Sequence, residues 1–341
     1  MTTTSMRKYI DKVLNRYNLS KEEVRNVMKI IMSGDASEDD LTQYLLALND
    51  KGPTVEEITG AVEIMRQFVV GVKTRHEVVL DTCGTGGDHK GTFNISTISA
   101  LVVAGAGVAV AKHGNRSVSS VCGSADLLEA LGVNLNLDDA KLGLCLDEIG
   151  IAFLFAQNLH PAMKNVAPVR KSIGVKTIFN ILGPLTNPAQ ATHQVMGVYN
   201  RDLVEPMAEV LKNLGLKRAL VVHGNDGLDE ITITDKTFVS EFNGVDVVSY
   251  DIDPEEIGIA RATHEDLAVG DINDNVSIAL EVLNGKKGPR RDIVLINAAY
   301  ALYTAQKVKA IADGLAAARE SIDSGCAFAK LEKLKEFSNR G

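Results

Sequence analysis

Several kinds of feature are missing from this chain, and each absence narrows its possible functions. No apolar run approaches the roughly 18 residues that a membrane-spanning helix needs, and residues 1–9 lack the apolar core of a signal peptide. We therefore expect a cytoplasmic protein. Basic residues are not in excess, since 36 basic against 44 acidic residues give a net charge of -8. This balance argues against broad binding to nucleic acid or to a membrane surface, so any anionic ligand requires a local group of cations.

Cysteine is scarce, and the familiar motifs of covalent or zinc catalysis are absent. The four cysteines form no C-x-x-C pair and have no metal-ligand spacing with histidine, which indicates reduced thiols. No G-x-S-x-G or H-E-x-x-H string occurs. We expect catalysis, if any, to depend on positioning and electrostatics rather than on a covalent intermediate.

The pattern of apolar residues predicts an α/β protein with two domains. Residues 1–74 show helical periodicity, with S/T-x-x-E/D capping signals that begin at Ser20, Ser37 and Thr54. From residue 75 to 341, short strands alternate with helices, which predicts a mainly parallel central sheet flanked by helices. Predicted strands cover 77–81, 107–111, 151–156, 193–199 and 217–223, and Asn243-Gly244 predicts a hairpin between 238 and 250. The region from about Asn273 onward is again helical.

A glycine-rich stretch follows the first predicted strand. Gly84, Gly86 and Gly87 precede Asp88, and polar residues then open an apolar helix near Asn94. Closely spaced backbone N–H groups and a helix N-terminus form a typical phosphate site. The stretch is not a P-loop, because no G-x-x-x-x-G-K-[ST] string occurs. It also fails the dinucleotide fingerprint G-x-G-x-x-G, because the sixth position counted from Gly84 is His89.

A second polar cluster, Lys112–Ser120, follows the next predicted strand, and Ser124 stands at the start of the next helix. Its cations, amide and hydroxyls can form many hydrogen bonds to a phosphate or a sugar. Ser120 or Ser124 is also suited to cap that helix.

An adjacent carboxylate pair, Asp229-Glu230, follows the strand predicted at 217–223. Mg²⁺ typically binds one or two carboxylates together with water and substrate phosphates. A phosphate loop combined with this pair therefore suggests a metal–polyphosphate substrate, although such pairs are also common in solvated loops.

A fourth segment runs from Phe155 to Pro188 and contains Arg170. Pro161 suits the first turn of a helix that would present Arg170 two to three turns later. An arginine in a cleft binds a carboxylate through two parallel hydrogen bonds, whereas elsewhere it would be an exposed helix residue.

Taken together and in this order, the four clusters resemble those of the anthranilate phosphoribosyltransferases, and the resemblance covers nearly the whole chain. It implies a nucleoside phosphorylase/phosphoribosyltransferase-like fold, a homodimer formed through the helical domain, and a substrate cleft at the hinge. It also implies that part of about 170–190 joins the helical domain in space. The implied reaction joins anthranilate to phosphoribosyl pyrophosphate in tryptophan biosynthesis, with Mg²⁺ as the cofactor.

The resemblance also implies site residues. The residues implied for phosphoribosyl pyrophosphate are Gly84, Gly87, Asp88, Thr92, Asn94, Ile95, Ser96, Thr97, Lys112, His113, Gly114, Asn115, Arg116, Ser117, Val118, Ser119, Ser120 and Ser124. Those implied for Mg²⁺ are Ser96, Asp229 and Glu230, and those implied for anthranilate are Gly84, Asn115, His160, Arg170, Gly183 and Pro184. No acid, base or nucleophile is implied, because the arylamine of anthranilate is neutral at pH 7.

Three residues depart from the family pattern. His89 and Lys90 stand where the family commonly has a small residue, and Lys176 stands where arginine is common.

Two other functions are considered. A pyrimidine nucleoside phosphorylase shares the Lys112–Ser120 type of loop but needs no magnesium–pyrophosphate site. A non-catalytic relative that binds nucleic acid would be expected to carry a basic face.

Overall fold

The computed structural model describes residues 6–117 and 122–340. The described elements, in chain order, are α1 (Arg7–Leu14), α2 (Lys21–Ser33), α3 (Glu38–Lys51), α4 (Val55–Met65), β1 (Val79–Gly84), α5 (Ile95–Gly105), β2 (Ala109–Gly114), α6 (Ser124–Ala130), α7 (Asp139–Ile149), β3 (Ile151–Phe155), α8 (Ala156–Leu159), α9 (Ala167–Ile173), α10 (Phe179–Leu182), β4 (His193–Gly197), α11 (Val204–Asn213), β5 (Arg218–Gly224), β6 (Thr237–Phe242), β7 (Val247–Ile252), α12 (His264–Leu267), α13 (Ile272–Leu283), α14 (Pro289–Thr304), α15 (Ile311–Asp323) and α16 (Cys326–Ser338). Short 3-10 helices cover Arg66–Phe68, Pro161–Asn165, Gly183–Leu185, Arg201–Leu203 and Glu255–Ile257.

The chain forms two compact units. A helical unit consists of Met1–Val70 and Gln157–Pro188, and an α/β unit consists of Gly71–Ala156 and Ala189–Gly341. No helix among the described residues is long and apolar enough to cross a membrane.

In the helical unit, the predicted capping signals begin helices. Ser20 and Thr54 each accept a hydrogen bond from the backbone N–H of the glutamate three residues later, and that glutamate bonds back to the cap residue. These reciprocal bonds pair donors that a helix N-terminus otherwise leaves unpaired. Glu57 is fully buried and also accepts hydrogen bonds from Lys51 Nζ and from the Leu19 N–H, each at 2.8 Å. The capping glutamate therefore also links α4 to α3 and to the start of α2.

The segment from Pro161 to Arg170 differs from the continuous helix that we predicted. A 3-10 helix covers Pro161–Asn165, and α9 begins only at Ala167. The physical reason is Pro168, which has no N–H to donate to a carbonyl four residues earlier and is tolerated only in the first turn of a helix, so a new helix begins just before it. Arg170 thus lies on a separate helix of less than two turns.

The α/β unit contains a seven-stranded sheet, among the described residues, in the order β3-β2-β1-β4-β5-β6-β7. The ladders from β3 to β5 are parallel, and β6 and β7 pair antiparallel. The predicted hairpin turn lies at Asn243-Gly244. Helices pack against the sheet, and α14 is buried along most of its length where it contacts α5 and β4. The predicted fold, a small helical domain with a larger and mainly parallel α/β domain, is confirmed.

Four neighbouring parallel strands, β2, β1, β4 and β5, end in glycine: Gly114, Gly84, Gly197 and Gly224. We call this end of the sheet the carboxyl edge. Because β1 has β2 on one side and β4 on the other, the order of strands reverses direction there, which is where open α/β sheets bind ligands.

Candidate functional site

The glycine loop begins where β1 ends and is tied to two neighbouring segments. The Thr85 N–H donates to the carbonyl of Gly197 at 2.9 Å, and the Gly86 N–H donates to the Asp229 carboxylate at 2.9 Å. Gly86 and Gly87 have positive φ angles of 63° and 78°. His89 also has a positive φ, 57°, a conformation that costs a side chain energy but costs glycine nothing. The residue that departs from the family pattern thus occupies a backbone position suited to glycine.

Lys112 lies inside β2 and not in the loop after it, where we predicted it. At this point β2 continues to pair with β3, with Lys112 opposite Phe153. The strand therefore does not end at its first polar residue. The side chain is 3% exposed, and its Nζ donates to the Thr82 carbonyl at 2.5 Å and to Ser96 Oγ at 3.3 Å. Burial lowers the pKa of Lys112, while the carboxylate of Asp81 opposes the shift. A buried cation is therefore fixed at the start of α5.

The start of α5 carries the predicted residues Asn94 and Thr97. Asn94 donates its backbone N–H to Asn275 Oδ1 at 3.0 Å and its side-chain amide to the Cys122 carbonyl at 3.0 Å. Thr97 is 1% exposed, and its hydroxyl has no hydrogen-bond partner among the described residues. Ile95 is buried, so its side chain serves the core and leaves only its backbone for a ligand. The N-terminus of α5 is suited to an anion because first-turn N–H groups lack partners within the helix.

Arg116 is paired with α6. Its guanidinium contacts Asp126 at 3.0 Å and Glu129 at 2.7 Å, and these carboxylates raise its pKa. Asp126 also accepts the N–H groups of Ser117 and Gly123. The prediction that Ser124 caps α6 is wrong, because Gly123 occupies the cap position.

In place of capping, Ser124 Oγ donates to the carbonyl of Asn115 at 3.3 Å. The predicted ligand residues Val118, Ser119 and Ser120 lie outside the described residues, and so does the alternative cap at Ser120.

The carboxylates of Asp229 and Glu230 lie close to the glycine loop and to α5. Burial raises the pKa of Asp229 to about 7, with Asp88 adding to the shift. Burial, and then the charge of Asp229, raises the pKa of Glu230 to about 8, while Lys112 opposes the shift. A hydrogen bond joins Ser96 to the Glu230 carboxylate. The loops after β1 and β5 and the first turn of α5 therefore bring these acidic groups and the Ser96 hydroxyl together.

Two glycines allow this approach. A Cβ on Gly84 would lie 2.6 Å from Asp229 Oδ2, and a Cβ on Gly197 would lie 1.6 Å from the Asp229 carbonyl oxygen. Gly84 and Gly197 are register partners in the β1–β4 ladder. Gly197 was not among the predicted residues, since nothing near it in the sequence shows which distant segment crosses it.

Asp226 shapes the loop between β5 and β6 that carries the acidic pair. Its carboxylate accepts hydrogen bonds from the Thr232 hydroxyl at 2.6 Å, from the Leu228 N–H at 3.1 Å and from the Thr234 hydroxyl. Asp226 was not among the predicted site residues, although the Asx turn from Asp226 to Leu228 is a local signal for this role. Lys90 lies across the same loop, because a Cβ on Gly227 would be 3.0 Å from Lys90 Nζ.

Whether a magnesium ion fits this location depends on the donor atoms that the side chains supply. Among residues 6–117 and 122–340, no three His, Cys, Asp or Glu side chains are grouped to hold a metal by themselves. Two carboxylates and a hydroxyl are present, and Mg²⁺ commonly takes one or two carboxylates and completes its shell with water and substrate phosphates. Asp229 and Glu230 have raised pKa values because their charges are buried and close together, a situation that a divalent cation relieves. The residues present therefore fit Mg²⁺ bound together with a phosphorylated ligand.

The helical unit contains the other predicted ligand residues. His160 is 7% exposed, and burial lowers its pKa to about 4, so it is neutral at pH 7. Arg170 Nη2 donates to Asn180 Oδ1 at 3.3 Å, and its guanidinium lies 5.7 Å from the centre of the Phe179 ring. Gly183 and Pro184 form the 3-10 helix after α10, and Lys176 lies between α9 and α10. Gly84 and Asn115 belong to the α/β unit.

Comparisons with known proteins cover both units. Residues 76–328 match the family described as "Glycosyl transferase family, a/b domain", and residues 7–69 match "Glycosyl transferase family, helical bundle domain". The anthranilate phosphoribosyltransferase of Symbiobacterium thermophilum is 50% identical over 335 residues, which cover 98% of each chain.

Two solved structures of similar proteins agree with these matches. The anthranilate phosphoribosyltransferase of Thermus thermophilus has a TM-score of 0.92 and 43% identity, covering 97% of this chain and 99% of its own. The enzyme from Saccharomyces cerevisiae, in complex with phosphoribosyl pyrophosphate and magnesium, has a TM-score of 0.90 and 28% identity, covering 98% and 97%.

Proposed function

The chain belongs to the anthranilate phosphoribosyltransferase family, and we infer that it transfers the phosphoribosyl group of 5-phosphoribosyl 1-pyrophosphate to the amine of anthranilate. The products are N-(5-phosphoribosyl)anthranilate and pyrophosphate, and the reaction belongs to tryptophan biosynthesis. Family membership favours this function over a pyrimidine nucleoside phosphorylase or a relative that binds nucleic acid. Mg²⁺ is the cofactor.

One observation in the structure carries this proposal. At the carboxyl edge, the glycine loop, the start of α5 and the buried Lys112 converge with the Asp229-Glu230 pair. The first three groups suit phosphate oxygens, and the pair suits a hard cation. A substrate that is both a diphosphate and a magnesium ligand satisfies both halves of the site.

Charge development in the reaction explains why these groups are needed. When the bond from the anomeric carbon to pyrophosphate breaks, negative charge builds on the leaving oxygens and the ribose becomes oxocarbenium-like. Backbone N–H groups of the glycine loop and the Lys112 ammonium would stabilise the leaving oxygens. Bound through Asp229, Glu230 and Ser96, Mg²⁺ would supply Lewis-acid neutralisation of the pyrophosphate, a contribution of several kcal/mol in comparable sites.

For the acceptor, we assign recognition of the anthranilate carboxylate to Arg170. Its guanidinium presents paired donors that match a carboxylate, and burial lowers its pKa. The amine of anthranilate needs no strong base because it is already neutral at pH 7. His160, neutral and buried, is suited to hydrogen bonding rather than to charge stabilisation.

We also propose a homodimer that forms through the helical unit, in the cytoplasm. Helices α1 and α3 pack together, and in this region Leu14, Tyr17 and Leu46 are 55%, 65% and 43% exposed. Large exposed apolar side chains are candidates for an interface. Light scattering of the purified protein should give twice the 36.6 kDa mass of one chain, and a single-chain mass would contradict the dimer.

The activity is tested by mixing the protein with Mg²⁺, phosphoribosyl pyrophosphate and anthranilate and following the loss of anthranilate fluorescence. We expect turnover, and we expect Asp229→Asn combined with Glu230→Gln to lose most of its Mg²⁺-dependent rate. A matched control replaces Glu255 and Glu256, an adjacent acidic pair after the edge strand β7, by glutamine. No turnover by the native chain would refute the function, and an unchanged Mg²⁺ response in the first variant would refute the assigned metal residues.

A further inference from the structure

A buried asparagine on α14 holds the segment that carries the acidic pair. Asn297 is 4% exposed, and its Oδ1 accepts the Ile231 N–H at 3.0 Å. Its Nδ2 donates to the Ile231 carbonyl at 2.8 Å and to the Ile293 carbonyl of its own helix at 2.8 Å. The side-chain amide thus binds both polar groups of the residue that directly follows Glu230.

An asparagine at position 297 would destabilise the fold if its side-chain amide did not form those hydrogen bonds. It lies in the middle of α14, among apolar residues that are almost all buried. A buried amide without partners destabilises a fold, and asparagine is a poor residue for a helix interior. An apolar residue would serve the packing of α14 better, so the hydrogen bonds to Ile231 account for an asparagine there.

The backbone on the other side of Glu230 is fixed as well. The Asp229 peptide lies against Gly197 so closely that a Cβ there would be 1.6 Å from its carbonyl oxygen. Gly197 belongs to β4, which is hydrogen-bonded to β1 and β5. Glu230 therefore lies between one peptide held against the sheet and another held by a long, buried helix.

We propose that Asn297 is a positioning residue, which fixes the carboxylates of Asp229 and Glu230 in the arrangement that binds Mg²⁺ with the diphosphate of the substrate. This inference rests on the proposed function of the acidic pair. Groups that orient metal ligands commonly change metal affinity by 10- to 100-fold when they are replaced. Since Asn297 acts through the backbone, we expect a change near the lower end, about tenfold.

The test measures metal binding directly as well as activity. Mn²⁺ serves as a spectroscopic probe, and electron paramagnetic resonance gives its affinity for the protein in the presence of phosphoribosyl pyrophosphate. Asn297→Ala should weaken Mn²⁺ binding by about tenfold and raise by a similar factor the Mg²⁺ concentration that gives half the maximal rate. The KM for anthranilate should change by less than about twofold, because the side-chain hydrogen bonds of Asn297 join it to Ile231 and Ile293, neither of which is assigned to anthranilate.

A matched control separates positioning from loss of stability. Ser321 on α15 also donates a buried hydrogen bond, to the Val102 carbonyl at 2.7 Å, far along the chain from the acidic pair. Ser321→Ala should lower the melting temperature without changing Mn²⁺ affinity. If Asn297→Ala does not fold, Asn297→Asp retains the acceptor for the Ile231 N–H and should show the same direction of change.

Two results would overturn the inference. One is unchanged Mn²⁺ affinity in a folded Asn297 variant while Asp229→Asn with Glu230→Gln loses it, which would leave the metal site intact and remove the role of Asn297. The other is an equal rise in the KM values of both substrates. Unchanged Mn²⁺ affinity in the Asp229 and Glu230 variant would instead refute the metal site itself.

Discussion

Replacing Gly197 by alanine should damage the proposed magnesium site without changing the side chain of any proposed ligand. The added Cβ would lie 1.6 Å from the Asp229 carbonyl oxygen, where ordinary contact requires at least 3.4 Å. The atom it meets belongs to the backbone, so no side-chain rotation relieves the overlap. Either β4 or the loop carrying Asp229 must therefore move, by about 1.8 Å, the difference between those two distances.

The loop should move rather than the strand. Five register pairs join β4 to each of β1 and β5, so displacement of the strand would disturb two ladders. A catalytic group misplaced by about 1 Å can cost about 100-fold in rate, which is roughly 2.7 kcal/mol of transition-state stabilisation. We expect Gly197→Ala to lower kcat/KM for phosphoribosyl pyrophosphate by about that factor. We also expect it to lower the free energy of unfolding by about 1–3 kcal/mol.

Kinetics over a range of Mg²⁺ concentrations, together with thermal unfolding, test this prediction. The control is Gly215→Ala, which has open space around its Cβ but a positive φ of 82°. That variant should lose about 1–2 kcal/mol of stability through backbone strain and keep its Mg²⁺ response. Native kcat/KM in a folded Gly197→Ala variant would refute the reasoning, because it would mean that the site tolerates displacement of Asp229.

Two further predictions concern the helical unit. Arg170→Lys keeps the charge but loses the paired donors, so it should raise the KM for anthranilate by about tenfold and leave that for phosphoribosyl pyrophosphate within about twofold. Lys171→Ala, the exposed neighbour on α9, is the control, and equal changes in both KM values would remove the assigned role. For His160, burial lowers the folded-state pKa from 6.5 to about 4, so its neutral form stabilises the fold above pH 6.5 and this contribution is lost as the pH falls toward 4. Urea unfolding should show the native protein losing up to about 3 kcal/mol more than His160→Gln between pH 6.5 and 4, and parallel profiles would contradict this.

Local signals in the sequence predicted the starts of α2 and α4 correctly. They misplaced the end of a strand, because a strand's length depends on pairing with a neighbouring strand. The capping glutamates after Ser20 and Thr54 work through bonds within four residues, so their pattern suffices. The strand predicted at 107–111 instead runs over Ala109–Gly114. It includes Lys112 because β3 continues to pair with it, and that pairing is invisible in the sequence of β2 alone.

The same limit applies to the candidate site. Glycine spacing and the adjacent acids indicated the loops after β1 and β5, and the structure places Asp229 within hydrogen-bond distance of Gly86. Gly197 and Asn297 carry no such signal, since each acts on a segment more than 30 residues away. Their importance follows from a close approach and from a buried amide, which only tertiary structure reveals.

The electrostatics of the carboxyl edge explain why a strongly anionic substrate is bound by an acidic protein. Asp81, Asp88, Asp229 and Glu230 interact with one another or with Lys112, and burial raises the pKa values of Asp229 and Glu230. With pKa values of about 7 and 8, Asp229 and Glu230 retain protons in part at pH 7, so the pair becomes fully charged only when a cation lowers those pKa values. A diphosphate that arrives without a metal ion brings only further negative charge, whereas its magnesium complex brings the positive charge that lets both carboxyl groups ionise. We therefore expect the acidic pair to favour the metal-bound form of the substrate, and the glycine loop to hold the diphosphate in place once that charge is present.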